Sequence, residues 1–352
     1  MRICFLEGDM SRNGGTERMT AWLANALVGR HEVSILSLRL HGPVFFPLHR
    51  QVQHHVLPAV SGKMGIWRQI RAIHRYIKEH GIDWVVNVDV GMGFYGILAA
   101  KGTKARTITW ENANFYNNWG SRLFPYMRRY AARRSDALVV LTQRDRENYA
   151  ENIRGCAPLY AIHNPCAMGE YHYDRASRTI LSVGHLLENK GYHRAVELAA
   201  RVLPQRPDWQ WVIYGEGPER PRLEQMIREA GLEGRVLLPG LRKDIDAVYK
   251  QAAMLVLTSE MEGLPMVLLE GKACGLPLAA FDIMTGPAEV VRHGVNGWLV
   301  KPFDMDTMAD CLAQLMDDEA LRVEMSQNAA LDAEQFSEET ILAQWEKVLE
   351  EK

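Results

Sequence analysis

The densest run of potential chemistry in this 352-residue chain is Ser259 to Glu270, where Glu262 and Glu270 bracket Gly263-Leu264-Pro265-Met266. The run follows an apolar strand pattern over Met254–Leu257 and opens a helical one over Pro265–Cys274, with Pro265 expected in the first turn. Free backbone N–H groups at such a helix start form an anion site suited to a diphosphate. Glu262 stands just outside the helix, and Glu270 lies on it one to two turns in. One carboxylate can therefore reach a sugar hydroxyl while the other accepts hydrogen bonds from a ribose. As bare spacing, two such glutamates would read as a solvated face; their place at a strand-to-helix turn sets them apart.

Other candidates are weaker alone. Gly14-Gly15 follows the strand pattern Ile3–Leu6 and could be only a tight turn. Lys190 lies in the loop after Thr179–Val183, where an ammonium can neutralise a leaving anion or merely be solvated. The strings Asp244-Ile245-Asp246 and Asp304-Met305-Asp306 could hold a metal, but both stand where helices begin and N-capping explains them better. No metal site is assigned. Arg122, Arg128, Arg129, Arg133 and Arg134 are interleaved with Leu123, Phe124, Tyr126, Met127 and Tyr130 along an expected helix Ser121–Arg134. A basic helix with an apolar side suits an anionic lipid surface; the alternative is an amphipathic helix packed on a sheet. Residues 1–165 carry 22 Lys+Arg against 12 Asp+Glu, so this half is net positive and the remainder net negative. That split favours an anionic partner for the first half.

The elements that must position these residues alternate along the chain. Ile3–Leu6, Val33–Leu38, Trp84–Val88, Thr107–Trp110 and Ala137–Leu141 read as buried parallel strands, with helices at Glu17–Leu27, Ile66–Glu79 and Tyr126–Arg134. The cycle restarts with strands at Thr179–Val183, Trp209–Tyr214, Val236–Leu238, Met254–Leu257 and Leu278–Ala280, and helices at Tyr192–Val202, Arg220–Ala230 and Pro265–Cys274. After about Asp304 the pattern is helical: Asp304–Met316, Ala320–Ala330 and Glu338–Glu350. Two β/α series imply an α/β chain of two doubly wound domains, with ligands at the carboxyl ends of the strands. The seam is placed at His163-Asn164-Pro165, giving domains 1–165 and 166–335 and a last helix within 336–352 that returns toward the first domain. Apolar residues make up 47% and charged residues 24%, which fits a soluble globular protein. No apolar run is long enough to span a bilayer, and Glu7 and Asp9 interrupt any signal-peptide pattern, so a cytoplasmic protein is expected. The five cysteines are scattered, without zinc or disulfide spacing.

The run Glu262 to Glu270 resembles the Glu-x7-Glu signature of the retaining family 4 glycosyltransferases, which adopt the two-domain GT-B fold. The resemblance covers nearly the whole chain, through Asn13-Gly14-Gly15-Thr16-Glu17-Arg18, Gly184 to Gly191, Tyr214 to Pro218, Gly286-Pro287 and Asn296-Gly297 in order. It implies two Rossmann-like domains facing each other across a cleft, the second binding a nucleotide diphosphosugar and the first an acceptor. Gly14 and Gly15 would let the backbone approach the donor diphosphate. Lys190, His185 and the amides near Gly15 and Leu264–Met266 would stabilise it as it leaves, Glu262 would hold the sugar, and Glu270 would anchor the ribose. His185 departs from the family's usual arginine; either a bound diphosphate raises the histidine's pKa, or another cation such as Arg242 compensates. Asn112 stands where relatives often carry a histidine; its amide can bind a hydroxyl but cannot shuttle a proton. The bacterial relatives it resembles build lipopolysaccharide, capsule or lipid-linked oligosaccharide. The resemblance thus implies a metal-independent, cofactor-free transferase, peripheral on the inner face of the cell membrane. It would move a hexose or N-acetylhexosamine, with a UDP-sugar favoured over GDP-mannose, to a lipid-linked or lipopolysaccharide-type glycan. No nucleic-acid partner is implied. Nucleotide-sugar 2-epimerases share the architecture but lack the Gly-Leu-Pro form of the signature. No Gly-x-Gly-x-x-Gly follows Ile3–Leu6, which disfavours a dehydrogenase. Retention of both glutamates disfavours a homologue that only binds.

Overall fold

The computed structural model describes residues 1–59, 65–118, 120–167, 171–242 and 244–351. The chain divides into two compact units, Met1–Asn164 with Ile341–Lys352, and Pro165–Thr340.

The first unit runs β1 (Arg2–Glu7), α1 (Gly15–Leu27), β2 (Glu32–Ser37), β3 (Gln53–Val56), α2 (Gly65–His80), β4 (Trp84–Val88), α3 (Val90–Ala100), β5 (Arg106–Trp110), α4 (Phe124–Arg134), β6 (Ala137–Val140), α5 (Gln143–Asn152) and β7 (Leu159–Ala161). Its seven strands form a parallel sheet in the order β3-β2-β1-β4-β5-β6-β7. Strand β4 buries every residue, as a sheet covered by helices on both faces requires: Trp84, Val85, Val86 and Val88 are all within 3% of full burial. The order reverses between β1 and β4. From β1 the chain steps to one side, and from β3 it crosses back, so the loops leaving β1 and β4 diverge and leave a crevice at their carboxyl ends.

The second unit runs β8 (Thr179–Val183), α6 (Tyr192–Val202), β9 (Gln210–Tyr214), α7 (Arg220–Glu229), β10 (Val236–Gly240), α8 (Ile245–Lys250), β11 (Met254–Leu257), α9 (Met266–Ala273), β12 (Leu278–Phe281), α10 (Pro287–Val290), β13 (Gly297–Val300), α11 (Met305–Asp317) and α12 (Glu319–Asp332). Its six strands are parallel in the order β10-β9-β8-β11-β12-β13, so the reversal falls between β8 and β11. Ile180, Trp211, Ile213, Met254, Leu312 and Leu315 centre its core. Helix α13 (Glu338–Glu350) then carries the chain into the first unit. There Trp345 packs edge-on against Trp110 with ring centroids 4.9 Å apart, and the Trp84 indole donates to the Leu349 carbonyl at 3.0 Å.

Several expectations need correction. The helix expected over Ser121–Arg134 starts at Phe124, with Pro125 in its first turn. Pro265 lies outside α9, at the N-cap position in an extended conformation (φ −73°, ψ 104°), rather than in the first turn. Strands β3 and β13 and helices α3 and α5 were not expected. The five cysteines are free; Cys4 and Cys166 are buried, while Cys156, Cys274 and Cys311 are half-buried. Among the described residues, no helix is long and apolar enough to cross a membrane.

Candidate active site at the carboxyl edge of the second sheet

Four loops converge where β8, β9, β11 and β12 end. After β8, residues Glu188–Lys190 make one 3-10 turn, closed by Gly191 at φ +66°. A side chain at Gly191 would be strained by that angle and would also collide with the Thr258 carbonyl, so glycine alone fits. The turn is stitched to the loop after β11: the Glu260 amide donates to the Asn189 carbonyl at 2.9 Å, and the Thr258 hydroxyl to the Lys190 carbonyl at 3.2 Å. Arg194 on α6 reinforces the seam, donating to the Thr258 carbonyl and to Glu260 Oε1 at 2.8 Å. From the other side the Thr285 hydroxyl donates to the Glu262 carbonyl at 2.7 Å. Gly286, at φ +101°, lies so close that a Cβ there would stand 2.7 Å from the Gly263 carbonyl and from Pro265 Cδ. The Glu262 loop is thus clamped between two neighbours.

This clamping brings two of the candidate side chains together. Lys190 Nζ donates to Glu262 Oε1 at 2.7 Å, and the two side chains keep 26% and 11% of their surface exposed. Water and ligands therefore reach the lysine more readily than the carboxylate. Beside them α9 begins without a side-chain cap, so its leading amides are available to an anion. Leu264 is buried beneath the turn and holds it to the core. Glu270 lies further along α9, half-buried, with Oε2 accepting from the Tyr249 hydroxyl at 2.7 Å. His185 follows β8 and Arg242 follows β10, and both are exposed.

The remaining candidates belong to the first unit. Gly14 takes the N-cap position of α1 and Gly15 opens the helix, with nothing within 4 Å of where a side chain on Gly15 would begin. Asn112 is half-buried after β5, and its amide donates to the Trp110 carbonyl at 3.2 Å. Asp244 and Asp304 do cap helices, accepting from the amides of Ala247 at 3.4 Å and Thr307 at 3.1 Å. Among the described residues no group of His, Cys, Asp or Glu is arranged to hold a metal ion.

Arg128 overturns part of the basic-face expectation. It is 3% exposed and points into the unit, donating to Asn118 Oδ1 at 2.8 Å and to the Asn117 carbonyl, with its Nε 3.8 Å from Glu111 Oε2. Arg122, Arg129, Arg133 and Arg134 remain exposed, as do Leu123 at 68% and Tyr126 at 71%. The burial of Arg128 has a cause the local pattern does not carry. A row of carboxylates lies under the carboxyl edge of the first sheet: Glu7, Asp89, Glu111 and Asp145. Burial pushes Glu111 up to about 8, with the charge of Asp89 adding to it and Arg128 opposing. Glu7 is pushed up to about 7, mainly by burial and then by Glu17. Burial also raises Asp145, against the hydrogen bonds of Phe115 and Asn148 and the charge of Arg128. The signal in the sequence was present, since Glu7, Asp89 and Glu111 each end or directly follow a strand.

The two units have recognisable counterparts. Residues 13–167 match the family described as Glycosyltransferase Family 4, and residues 171–332 match Glycosyl transferases group 1. The two matches lie end to end over nearly the whole chain, and the chain belongs to the glycosyltransferases built from these domains. An uncharacterized glycosyltransferase of Haemophilus influenzae is 28% identical over 354 residues, covering 99% of both chains. A Campylobacter jejuni enzyme, GalNAc-alpha-(1->4)-GalNAc-alpha-(1->3)-diNAcBac-PP-undecaprenol alpha-1,4-N-acetyl-D-galactosaminyltransferase, is 27% identical over 364 residues, covering 100% of this chain and 99% of its own. In structure, Anabaena HepE in complex with UDP aligns over 99% of both chains with a TM-score of 0.84 at 19% identity. The two parallel-sheet domains are those of the GT-B fold.

Proposed function

We propose that the chain is a retaining, metal-independent hexosyltransferase or N-acetylhexosaminyltransferase. It would use a UDP-sugar donor in bacterial polysaccharide or lipopolysaccharide assembly, with a lipid-linked or lipopolysaccharide-type glycan as acceptor. The observation that carries this reading is the Lys190–Glu262 pair, 2.7 Å apart beside the uncapped start of α9. Such a pair offers a cation for the departing diphosphate next to a carboxylate for the sugar. The α9 amides near Leu264 to Met266 would bind the same diphosphate, with Gly263 keeping the backbone accessible. Charge on the leaving group is thus met by Lys190, by helix amides and by exposed His185 and Arg242, which is why no metal is called for. Glu262 would hold the sugar hydroxyls and favour positive character at the ring. Glu270, already oriented by Tyr249, would take the ribose hydroxyls. HepE is in complex with UDP, and the name of the Campylobacter relative contains PP-undecaprenol; both features support these choices.

On this reading the first unit takes the acceptor, with Gly14, Gly15 and Asn112 at its open edge. The exposed arginines of α4, together with Leu123 and Tyr126, would rest on an anionic bilayer, so that the protein works peripherally on the cytoplasmic membrane face. Acceptor-free hydrolysis of UDP-glucose, UDP-galactose, UDP-N-acetylglucosamine, UDP-N-acetylgalactosamine and GDP-mannose, each with and without EDTA, tests the donor assignment. A UDP-sugar should be hydrolysed equally in both conditions. Hydrolysis of GDP-mannose alone would overturn the donor choice, and loss with EDTA would overturn metal independence.

A further inference from the structure

Asp89 is the residue that stands apart in the first unit. It follows β4 at the point where the strand order reverses, the position at which doubly wound sheets open a crevice for ligands. Its backbone lies at φ 79° and ψ 152°, a region that residues other than glycine enter only under strain. Helix capping does not explain that strain. The Asp89 carboxylate accepts from the Gly91 amide at 3.4 Å, the limit of a hydrogen bond. Thr142, Asp244, Asp304 and Asp318 cap their helices from negative φ, with bonds of 3.0, 3.4, 3.1 and 2.9 Å. An unstrained cap was therefore open to this sequence, and the chain does not use it here.

The surroundings of Asp89 differ from those of the other carboxylates in its row. Glu7, Glu111 and Asp145 are 4%, 0% and 2% exposed and bonded to internal donors, whereas Asp89 is only half-buried. Burial raises its pKa, while the amides of Gly91 and Val90 and the charge of Arg128 act the other way. Its amide donates to the Trp110 carbonyl at 2.7 Å, and the Asn112 side chain donates to that same oxygen. The strained aspartate and the polar amide of Asn112 are thus pinned side by side at the carboxyl edge of β4 and β5.

We propose that Asp89 is a substrate-binding residue whose carboxylate accepts a hydrogen bond from an acceptor hydroxyl, beside Asn112. The proposal rests on the reading that the first unit takes the acceptor. The strain is then the cost of holding the carboxylate half-exposed at the sheet edge, with only a 3.4 Å contact to the Gly91 amide of α3.

Asp89→Gly separates this role from a structural one, because glycine adopts the observed backbone without strain and still serves at an N-cap. Transfer from UDP-glucose, UDP-galactose or UDP-N-acetylglucosamine to n-octyl glycosides would be measured beside acceptor-free hydrolysis of the same donor and thermal unfolding. The glycine variant should melt a few degrees higher. Its kcat/KM for the glycoside should fall about 10- to 100-fold, the worth of one charge-assisted hydrogen bond, while hydrolysis is unchanged. Asp89→Asn, which keeps the shape and loses the charge, should show a smaller loss in the same measurement. Unchanged transfer in the glycine variant would overturn the proposal, and so would a lower melting temperature that accompanies lost transfer. If hydrolysis falls in parallel with transfer, Asp89 acts on the donor instead, and the assignment of the first unit to the acceptor fails with it.

Discussion

Lys190 and Glu262 meet across the reversal point of the second sheet, and their contact supplies a quantitative test. Lys190→Met removes the ammonium while keeping the bulk of the stem. If the lysine meets the diphosphate only as negative charge builds up on it, its loss is felt in the transition state more than in the bound donor. A hydrogen bond to a charged group contributes about 1.5–3 kcal/mol, which corresponds to a drop in kcat of roughly 10- to 150-fold with donor KM little changed. The pair itself is partly exposed, so screening limits its share of stability to about 1 kcal/mol or less. For a unit of this size that is a melting shift of roughly 2–4 °C. Glu262→Gln keeps the hydrogen-bonding shape and removes the charge that would favour positive character at the ring.

The double variant decides whether the 2.7 Å contact is functional. Two residues acting on one transition state give losses well short of additive, because either deletion already removes most of the shared effect. Rates of donor hydrolysis and transfer for both single variants and the double variant, with thermal unfolding alongside, make up the assay. A double loss equal to the sum of the single losses in free energy would refute a shared role. Normal rates with a lowered melting temperature would reduce the contact to a structural ion pair.

Glu270→Ala should weaken UDP binding in calorimetry by about tenfold, while Glu262→Ala leaves it largely intact; equal losses would erase the division of labour between the two carboxylates. Changing Arg122, Arg129, Arg133 and Arg134 together to Gln should reduce sedimentation with anionic vesicles. Each contributes about 1 kcal/mol near such a surface, and salt should release the parent protein; a variant that still sediments like the parent refutes the membrane face. Glu111 and Glu7 have folded pKa values of about 8 and 7, above the unfolded carboxylate value, so the folded state holds extra protons. Their stabilisation is full below about pH 4.5 and is lost as pH rises through 7 and 8. Melting temperature should accordingly decline from pH 5 to 8, and Glu111→Gln should make the decline shallower; an unchanged slope would refute a burial-raised carboxyl at Glu111.

The fold was legible where burial is strongest. Strands such as Trp84–Val88 and Met254–Leu257 are continuous apolar runs because both faces are covered, and the sequence shows that directly. Strand β3, Gln53-His54-His55-Val56, lies at a sheet edge with a polar, largely exposed surface, so it carries no apolar signal. Helix α3 fails for the opposite reason: it is nearly all apolar and holds Gly91, Gly93 and Gly96, so it lacks both a polar face and strong helix formers. Arg128 and Arg129 are neighbours of one type with opposite fates. What separates them is Glu111 and Asn118, whose approach depends on the tertiary fold and not on helix periodicity. The Lys190–Glu262 contact spans 72 positions, and no local pattern in the sequence announces it.

The two sheets share one topological feature. In each, the chain leaves a central strand toward one side, returns past it, and continues on the other, placing the reversal at β1/β4 and at β8/β11. Lys190 leaves β8 and Glu262 leaves β11, so their ion pair bridges the reversal of the second sheet. The corresponding loops of the first sheet hold Gly14 and Gly15 after β1, and Asp89 after β4. Around Asp89 and Glu111 the compensating cation, Arg128, is buried behind the carboxylates instead of facing outward, while Arg12 in the loop after β1 is exposed 3.8 Å from Glu17. A diphosphate is drawn to the first arrangement, where an ammonium and open helix amides face a ligand. A neutral polyol suits the second, because hydroxyl groups can donate to a half-buried carboxylate that would repel phosphate. On the proposed reading, a nucleotide-binding second unit and a sugar-accepting first unit would follow from which charges each sheet leaves accessible at its reversal point.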